Sequence, residues 1–427
     1  MNLPSMRRQR HPRGVKYWYM LRKSLKNVRV ADFSQIGAGP TCSMFLGDLG
    51  ADVIKVEPPS GDIGRGLGPP WVADNVSSVF VAFNRNKRSI CIDLKSEQGL
   101  RAAKRLVQSC DVLIESFRPG VMDRLGLGHG EVSADNPGIV YCSVSAYGST
   151  GEAARLGGVD GIVQAESGLM SLLGDEGQPP SKVQAPVVDV TTGYVATIAV
   201  MAQLYQRQAT GFGGYLDVSM LGAAVALQQS SLTGFLGDGE LPGRLGSAAP
   251  YSAPNEAFPA SDGWIMVAAY QGGRWERLCE ILERTDLAQD PRFETSALRV
   301  RNRQAMRAEL GGAFSRHPCA YWLERLMARD ILCSKVCDYA DLIENPAVAH
   351  LELITSLTDD LGRSHRVPGF PVNSRESQSL PHRAPPRLGQ HTLEVLSELD
   401  FTAAEAAALV TTGAVFADRS ASPAETA

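Results

Sequence analysis

Val28-Arg-Val-Ala-Asp-Phe33 runs into Ser34-Gln-Ile-Gly37-Ala-Gly39-Pro40, and Asp52-Val-Ile-Lys-Val-Glu57 follows. The first segment alternates as a short strand. The glycine pair and proline form a turn, and Thr41 is placed to cap a helix reaching Leu49-Gly50. Asp52–Glu57 is a second strand, stopped by Pro58-Pro59. Two strands joined through a helix pair in parallel, because a parallel pair needs a long crossover. The pattern recurs beyond the glycine-rich loop Gly61–Pro70. Strands are expected at Ser89–Asp93, Asp111–Glu115 and Ile139–Ser145, with a helix capped by Ser96 and carrying Leu100, Ala103, Leu106 and Val107. The fold class is therefore α/β with a largely parallel sheet.

The same stretch imitates a dinucleotide fingerprint, with Gly37-x-Gly39 after a strand and Glu57 closing the next. Two details speak against a nicotinamide or flavin. Cys42 stands where the third glycine should let helix and strand approach, and Ser34-Gln35-Ile36 makes the turn too long.

Further along, Tyr194–Leu204 reads as a buried helix, Tyr215–Ser219 as a strand and Leu221–Phe235 as a helix. Residues 237–262, dense in Gly, Pro, Ala and Ser, read as a long connection. Gly263–Ala269 is a strand, and Gly272-Gly273 a turn ahead of a helix at Trp275–Leu282. Helices are expected near 302–315 and 320–328, and an acidic helical stretch runs from Asp338 to Pro346. After the proline-rich Arg383–His391, a helix at Leu393–Leu399 closes the ordered part.

The chain has 427 residues, enough for two or three domains. A formal net charge of −4 gives no drive toward nucleic acid or a membrane surface. Residues 1–28 hold eight Lys and Arg and no acid, which leaves about −12 on the rest. That head reads as a disordered extension, or as a start placed too early, with Met20 the natural beginning. No run of about 18 apolar residues is present, so no membrane span is expected. The eight cysteines are scattered without a CxxC pair, which fits reduced thiols and a cytoplasmic protein. Cys333 and Cys337 have no His or Cys cluster to complete a zinc site, so no metal is expected.

One carboxylate stands out in Pro186-Val-Val-Asp189-Val-Thr-Thr-Gly193, just ahead of the buried helix. Asp189 is either a helix cap, accepting from first-turn amides, or a nucleophile held ionised by those amides in a water-poor site.

A series of short motifs bears on this choice. Ala38-Gly-Pro40, Leu46–Glu57, Asn84-Arg-Asn-Lys-Arg-Ser-Ile90, Asp93-Leu-Lys95 and Phe117-Arg-Pro-Gly120 are the first of them. Leu125-Gly-Leu-Gly128, Ser145-Ala-Tyr-Gly148, Pro186–Asp189, Asp262-Gly-Trp-Ile265 and Leu388-Gly-Gln-His391 continue it. In this order, from about residue 28 to 400, they resemble the class III CoA-transferase family, also called the CaiB/BaiF family. The resemblance implies a Rossmann-like large domain plus a small α+β domain, and two subunits threaded as an interlocked, ring-like homodimer. Laid on this sequence, the large domain takes residues 28–215, a linker helix and connection 216–262, the small domain 263–335, and the return to the large domain 336–416. Residues 1–27 and 417–427 are left as a disordered head and tail.

The resemblance also implies the chemistry. Asp189 matches the family's nucleophile, which exchanges CoA between acids through a mixed anhydride and an aspartyl-CoA thioester. Coenzyme A is then a co-substrate, and acyl exchange needs no permanently bound cofactor. By position, Ile92, Asp93, Leu94 and Lys95, together with Ser116, Phe117, Arg118 and Arg124, match CoA contacts. Ala38 matches a backbone contact near the thioester, and Gly272 and Gly273 match a mobile loop over the intermediate. Arg65, in the glycine-rich loop, is a candidate for a substrate carboxylate. Val159 stands where the family's racemases carry a catalytic His. Since Val moves no proton, an acyl-CoA racemase or isomerase is the alternative rather than the first reading. Asp160 is given a supporting role at most. The expected partners are an acyl-CoA, with succinyl-CoA as the first candidate donor, and an acceptor acid, a dicarboxylate by motif wording; neither nucleic acid nor membrane is among them.

Overall fold

The computed structural model describes residues 21–73, 76–372 and 382–418. Its strands in chain order are β1 (Arg29–Phe33), β2 (Asp52–Glu57), β3 (Trp71–Ala73), β4 (Val76–Ser77), β5 (Lys87–Ile92), β6 (Val112–Glu115) and β7 (Val140–Ser145). They continue with β8 (Gly214–Ser219), β9 (Asn255–Ala260), β10 (Gly263–Ala268), β11 (Leu332–Lys335), β12 (Ile354–Thr358), β13 (Ser364–Pro368) and β14 (Val415–Phe416).

The main sheet has the order β14-β5-β2-β1-β6-β7-β8, parallel except for the antiparallel edge β14. Counting only the parallel strands, this is the doubly wound order 3-2-1-4-5-6, which reverses direction between β1 and β6. The strands are near-continuous apolar runs because helices cover both faces. Ala31, Ile54, Ile90 and Leu113 sit in one core with Leu106 and Leu396; Val30, Val53, Val112 and Val140 sit in another with Leu46 and Val200. Each fully buried Leu, Ile or Phe adds roughly 1.5–3 kcal/mol.

By its contacts the chain divides into two units. One comprises residues 1–163, 186–227 and 350–427, the other 164–185 and 228–349. The second unit is built on the antiparallel sheet β11-β10-β9. Phe258, Ile265, Trp275, Phe293, Phe314 and Trp322 pack together there. These divisions fall elsewhere than the sequence boundaries, because residues 164–185 share that unit through long-range contacts that spacing does not reveal.

Several local expectations change. Helix Ala38–Asp48 starts at Ala38, so Thr41 lies inside it and its hydroxyl donates to the Gly37 carbonyl at 2.8 Å. The connection 237–262 contains strand β9, which pairs along its whole length with β10. The ordered chain continues past 399 through helix Ala403–Thr411 into β14, which pairs with β5. Of the head expected to be disordered up to residue 27, residues 1–20 lie outside the described residues, but Leu21–Lys23 form a 3-10 turn and Leu25 is buried in the sheet core. The tail from 419 also lies outside the described residues.

The helix behind Asp189 is longer than its apolar core suggests. It runs Val187–Thr210, and by length and composition it is long and apolar enough to cross a membrane, a property missed from sequence. Ala196, Val200 and Leu204 pack it into the sheet core, while Ile198 and Tyr205 are 69% and 79% exposed. The thiols of Cys42 and Cys110 are pushed up to about 12, chiefly by burial, which suits inert thiols.

Candidate active site

Ligands of doubly wound sheets bind outside the carboxyl ends of the strands, where the order reverses. Here that crevice lies between the segments following β1 and β6. A cavity of about 430 Å³ opens there, lined among others by Ile36, Gly37, Ala38, Ser116, Arg118 and Asp189. A second, of about 450 Å³, shares Ser116, Phe117, Arg118, Gly158 and Val159 and extends to Leu156 and Ile162.

Asp189 is the third residue of helix Val187–Thr210, and the amides of that first turn are not its own. Asp160 takes them: its carboxylate accepts from the Val188 N–H at 2.8 Å and from the Asp189 N–H at 3.1 Å. The expectation that helix-end amides keep Asp189 ionised is thereby corrected. Asp160 is the cap. The Asp189 carboxyl is pushed up to about 7, first by burial and then by the nearby charge of Asp160. No cation pairs with Asp189 among the described residues.

Two glycines let this carboxylate reach the cavity. A Cβ on Gly37 would lie 2.8 Å from Asp189 Cγ. A Cβ on Gly193, one helical turn on, would meet the Thr41 side chain and come within 3.0 Å of the Ala38 carbonyl. Helix Ala38–Asp48 and the Asp189 helix cross at backbone range because both positions lack a side chain. Gly37 also explains itself here: with Asp189 so placed, no larger residue fits.

The remaining candidates separate into groups. Ser116, Phe117 and Arg118 follow β6 and line both cavities. Ser116 Oγ accepts from the Gln35 N–H at 3.0 Å, and the Phe117 N–H donates to Glu115 Oε2 at 2.8 Å. Glu115, missed from sequence, is pushed up to about 7 by burial, against the opposing bonds from Ser143 and Phe117. Ile92 ends β5 and Asp93–Lys95 follow it, while Arg124 ends the one-turn helix Val121–Arg124 after β6, so both groups lie beyond the carboxyl ends of parallel strands. Ile92 is fully buried and Leu94 packs on the core, so their side chains face inward. Asp93 Oδ1 accepts from the Lys95 N–H at 3.0 Å. Lys95, Arg118 and Arg124 are exposed, and among the described residues none of the three is in an ion pair.

Arg65 is occupied. Its guanidinium donates to both Glu57 oxygens at 2.6 and 2.7 Å and to the Pro386 carbonyl, and it covers the Phe80 ring. The same pair removes Glu57 from any ribose-binding role. Gly272 and Gly273 have φ of +64° and +68° and precede helix Arg274–Ile281, in the other unit.

Sequence reading also missed a cluster of buried charges beneath the β1 turn. Asp32, Lys55 and Lys87 are fully buried on strands, with Asp62 beside them. Lys87 Nζ meets Asp32 Oδ2 at 2.9 Å, and Lys55 Nζ meets Asp62 Oδ2 at 2.7 Å. Burial draws Lys87 down to about 8 against the attraction of Asp32. The available signal was a charge inside an apolar strand, as in Val53-Ile54-Lys55-Val56.

Comparison with known proteins agrees with this architecture. The model of CoA-transferase family III matches residues 25–392. The chain is 35% identical over 379 residues to succinyl-CoA:glutarate CoA-transferase of Mus musculus, covering 88% of this chain and 86% of that one. It is 34% identical over 385 residues to succinyl-CoA:mesaconate CoA-transferase of Haloarcula hispanica, covering 88% and 96%. The crystal structure of a CaiB/BaiF family protein from Brucella suis superposes with a TM-score of 0.80 at 31% identity, over 88% of this chain and 99% of that one. With its doubly wound sheet and a family match along most of its length, the chain belongs to CoA-transferase family III.

Proposed function

We propose that the protein moves coenzyme A from succinyl-CoA or a similar acyl-CoA to an acceptor dicarboxylate, with Asp189 as nucleophile. An Asp189 oxygen attacks the thioester carbonyl; the C–S bond breaks, leaving a mixed anhydride and CoA thiolate. The thiolate attacks the aspartyl carbonyl, releasing the donor acid and leaving an aspartyl-CoA thioester. The acceptor carboxylate then attacks that carbonyl, thiolate departs again, and thiolate attack on the new anhydride gives product and frees Asp189. The observation that carries this reading is a carboxylate without a cation, pressed against Gly37 in a cavity at the sheet's switch point. A carboxylate without an ion-pair partner keeps its lone pairs free for attack.

CoA is held at the strand ends, where Lys95, Arg118 and Arg124 offer unpaired charge to its phosphates. Ala38 contributes backbone near the thioester, and Gly272-Gly273 match the family's mobile glycine loop. Arg118 also lines the Asp189 cavity. Dicarboxylate acceptors are supported by the relatives named for glutarate and mesaconate. The protein works as an interlocked homodimer in the cytoplasm; the exposed apolar residues Ile198 and Tyr205 on the Asp189 helix support the dimer. Val159, 58% exposed on the cavity wall, carries no proton and so does not favour the racemase alternative.

The test is CoA transfer from succinyl-CoA to a panel of mono- and dicarboxylates, read by mass spectrometry. Dicarboxylates should form CoA esters. Asp189→Ala should lower turnover by about 10⁴-fold or more while retaining CoA binding, and hydroxylamine added with acyl-CoA alone should convert the activated Asp189 carboxyl to a hydroxamate, with release of the donor acid or CoA thiolate. Turnover unchanged in Asp189→Ala overturns the mechanism. Exchange of the α-proton into deuterated solvent at the turnover rate would transfer the assignment to a racemase.

A further inference from the structure

The turn from β1 into helix Ala38–Asp48 is held by side chains at each step. The Ser34 N–H donates to Asp32 Oδ1 at 3.0 Å, and the Ser34 carbonyl accepts from Lys55 Nζ at 2.9 Å. The Gln35 N–H donates to Ser116 Oγ at 3.0 Å, and the Ile36 N–H to Asp62 Oδ1 at 3.2 Å. Asp62 is fixed in turn. It meets Lys55 Nζ at 2.7 Å, accepts from the Gly64 N–H at 2.7 Å, and its own N–H donates to Glu57 Oε2 at 3.1 Å. Lys55 and Asp62 are 0% and 2% exposed.

This anchoring maintains an unusual backbone. Ile36 has φ of +68°, a region that a β-branched residue rarely enters and holds only when its surroundings over-determine it. The next residue is Gly37, whose Cα stands against the Asp189 carboxylate. Relaxing Ile36 toward ordinary φ would move Gly37 and Ala38 along the cavity wall.

We infer that Asp62, locked by Lys55, is a positioning residue for acyl transfer: it holds Ile36 in the left-handed conformation and so sets Gly37 and Ala38 against Asp189. The inference rests on Asp189 being the nucleophile. It assigns the buried Lys55–Asp62 pair a function beyond folding, because misplacing a reacting group by about 1 Å costs about 100-fold in rate.

The test begins with the paired variant Lys55→Met/Asp62→Leu, which leaves no lone buried charge and is therefore expected to fold. Its kcat for CoA transfer should fall about 100-fold, with KM for the acyl-CoA within about threefold of the parent. Adding Ile36→Gly should restore at least tenfold of that loss, because glycine enters positive φ without the steric cost that the anchor offsets for Ile36. Far-UV circular dichroism and Tm establish that each variant is folded. If the paired variant does not fold, Asp62→Glu keeps the ion pair but shifts the acceptor, and its kcat should fall at least about tenfold. Unchanged kcat in either folded variant overturns the inference, as does a loss carried by KM alone or one that Ile36→Gly leaves uncorrected. Asp189→Ala, assayed alongside, separates the two readings. If it stays active, the nucleophile assignment falls and this inference with it; if it is inactive while the anchor variants match the parent, only the positioning role falls.

Discussion

Asp32 and Asp189 are carboxylates near the two ends of the Ser34–Gly37 turn, and the fold treats them in opposite ways. Asp32 is fully buried, and burial alone would push its carboxyl up. The ammonium groups of Lys87 and Lys55 and the hydroxyls of Ser34 and Ser43 outweigh that and hold it below the usual carboxylate range. Asp189 is only half-buried, yet burial and the neighbouring charge of Asp160 push it up to about 7, with no cation among the described residues to oppose them. The difference lies in compensation rather than depth. A compensated buried charge contributes little net stability but fixes geometry. An uncompensated one keeps its lone pairs for a reaction.

The strongest way to break this contrast is to remove the compensation. Lys87→Met strips Asp32 of the ammonium at 2.9 Å and leaves Asn84 Oδ1 and the Pro40 carbonyl without their donor. Breaking one side of a buried pair costs about 3–5 kcal/mol, readable as a lower midpoint in urea unfolding. The sign with pH follows from the direction of the shift. The folded value of Asp32 lies below the unfolded one, so its stabilisation is present above about pH 4 and is lost as pH falls further. In Lys87→Met the Asp32 carboxyl should rise like Asp189, so the deficit should narrow in acid. A deficit independent of pH would mean that Asp32 is not the group left uncompensated.

How much of this was legible in sequence follows from the same contrast. The α/β class came from short apolar strands at β1, β2, β6 and β7 alternating along the chain with helical patterns, the order a parallel sheet under helices produces. The special place of Asp189 came from one charge within an apolar run. What could not be read were relations between distant strands. Asp32, Lys55 and Lys87 lie on three different strands, and their pairing depends on sheet order. Arg65 looked free in a glycine-rich loop because nothing local shows that Glu57, eight residues earlier, folds back to bind it. Strand β9 was lost among turn-forming residues because Asn255, Pro259 and Ala260 are poor strand formers, although only Ser261 and Asp262 separate it from its hairpin partner β10. The capping of the Asp189 helix by Asp160, 28 residues before Val188, is likewise invisible to the local spacing rules.

A smaller perturbation sharpens the reactive side. Gly37→Ala adds one methyl that would stand 2.8 Å from Asp189 Cγ, too close for both to keep their places. The carboxylate must rotate or the turn must shift, and a misplacement of about 1 Å costs about 100-fold in kcat. The substitution lies on backbone of ordinary φ, so stability should change far less than turnover. Parallel assays of kcat and Tm check this. An equal loss in both would make Gly37 a packing residue rather than one that makes room for the nucleophile.

The mildest change addresses the charge on Asp160. Asp160→Asn retains a side-chain oxygen for the Val188 and Asp189 amides, so the cap survives, but the like charge beside Asp189 is gone. Attack requires the ionised form of Asp189, so kcat/KM in the parent should climb with pH through about 7. Without the neighbouring charge the Asp189 carboxyl falls, and the acid limb should move to lower pH, with a gain at pH 6 of less than about tenfold. Stability should follow the same group with the opposite sign. The folded value of Asp189 lies above its unfolded 3.8, so its favourable contribution is full below that value and is lost as pH rises toward 7. In Asp160→Asn that loss should end at lower pH and be smaller. Asp160→Ala should add a cap penalty of about 1 kcal/mol that Asn avoids. An acid limb unmoved in Asp160→Asn would assign the raised Asp189 carboxyl to burial alone, and would leave Asp160 the task of starting the helix and nothing more.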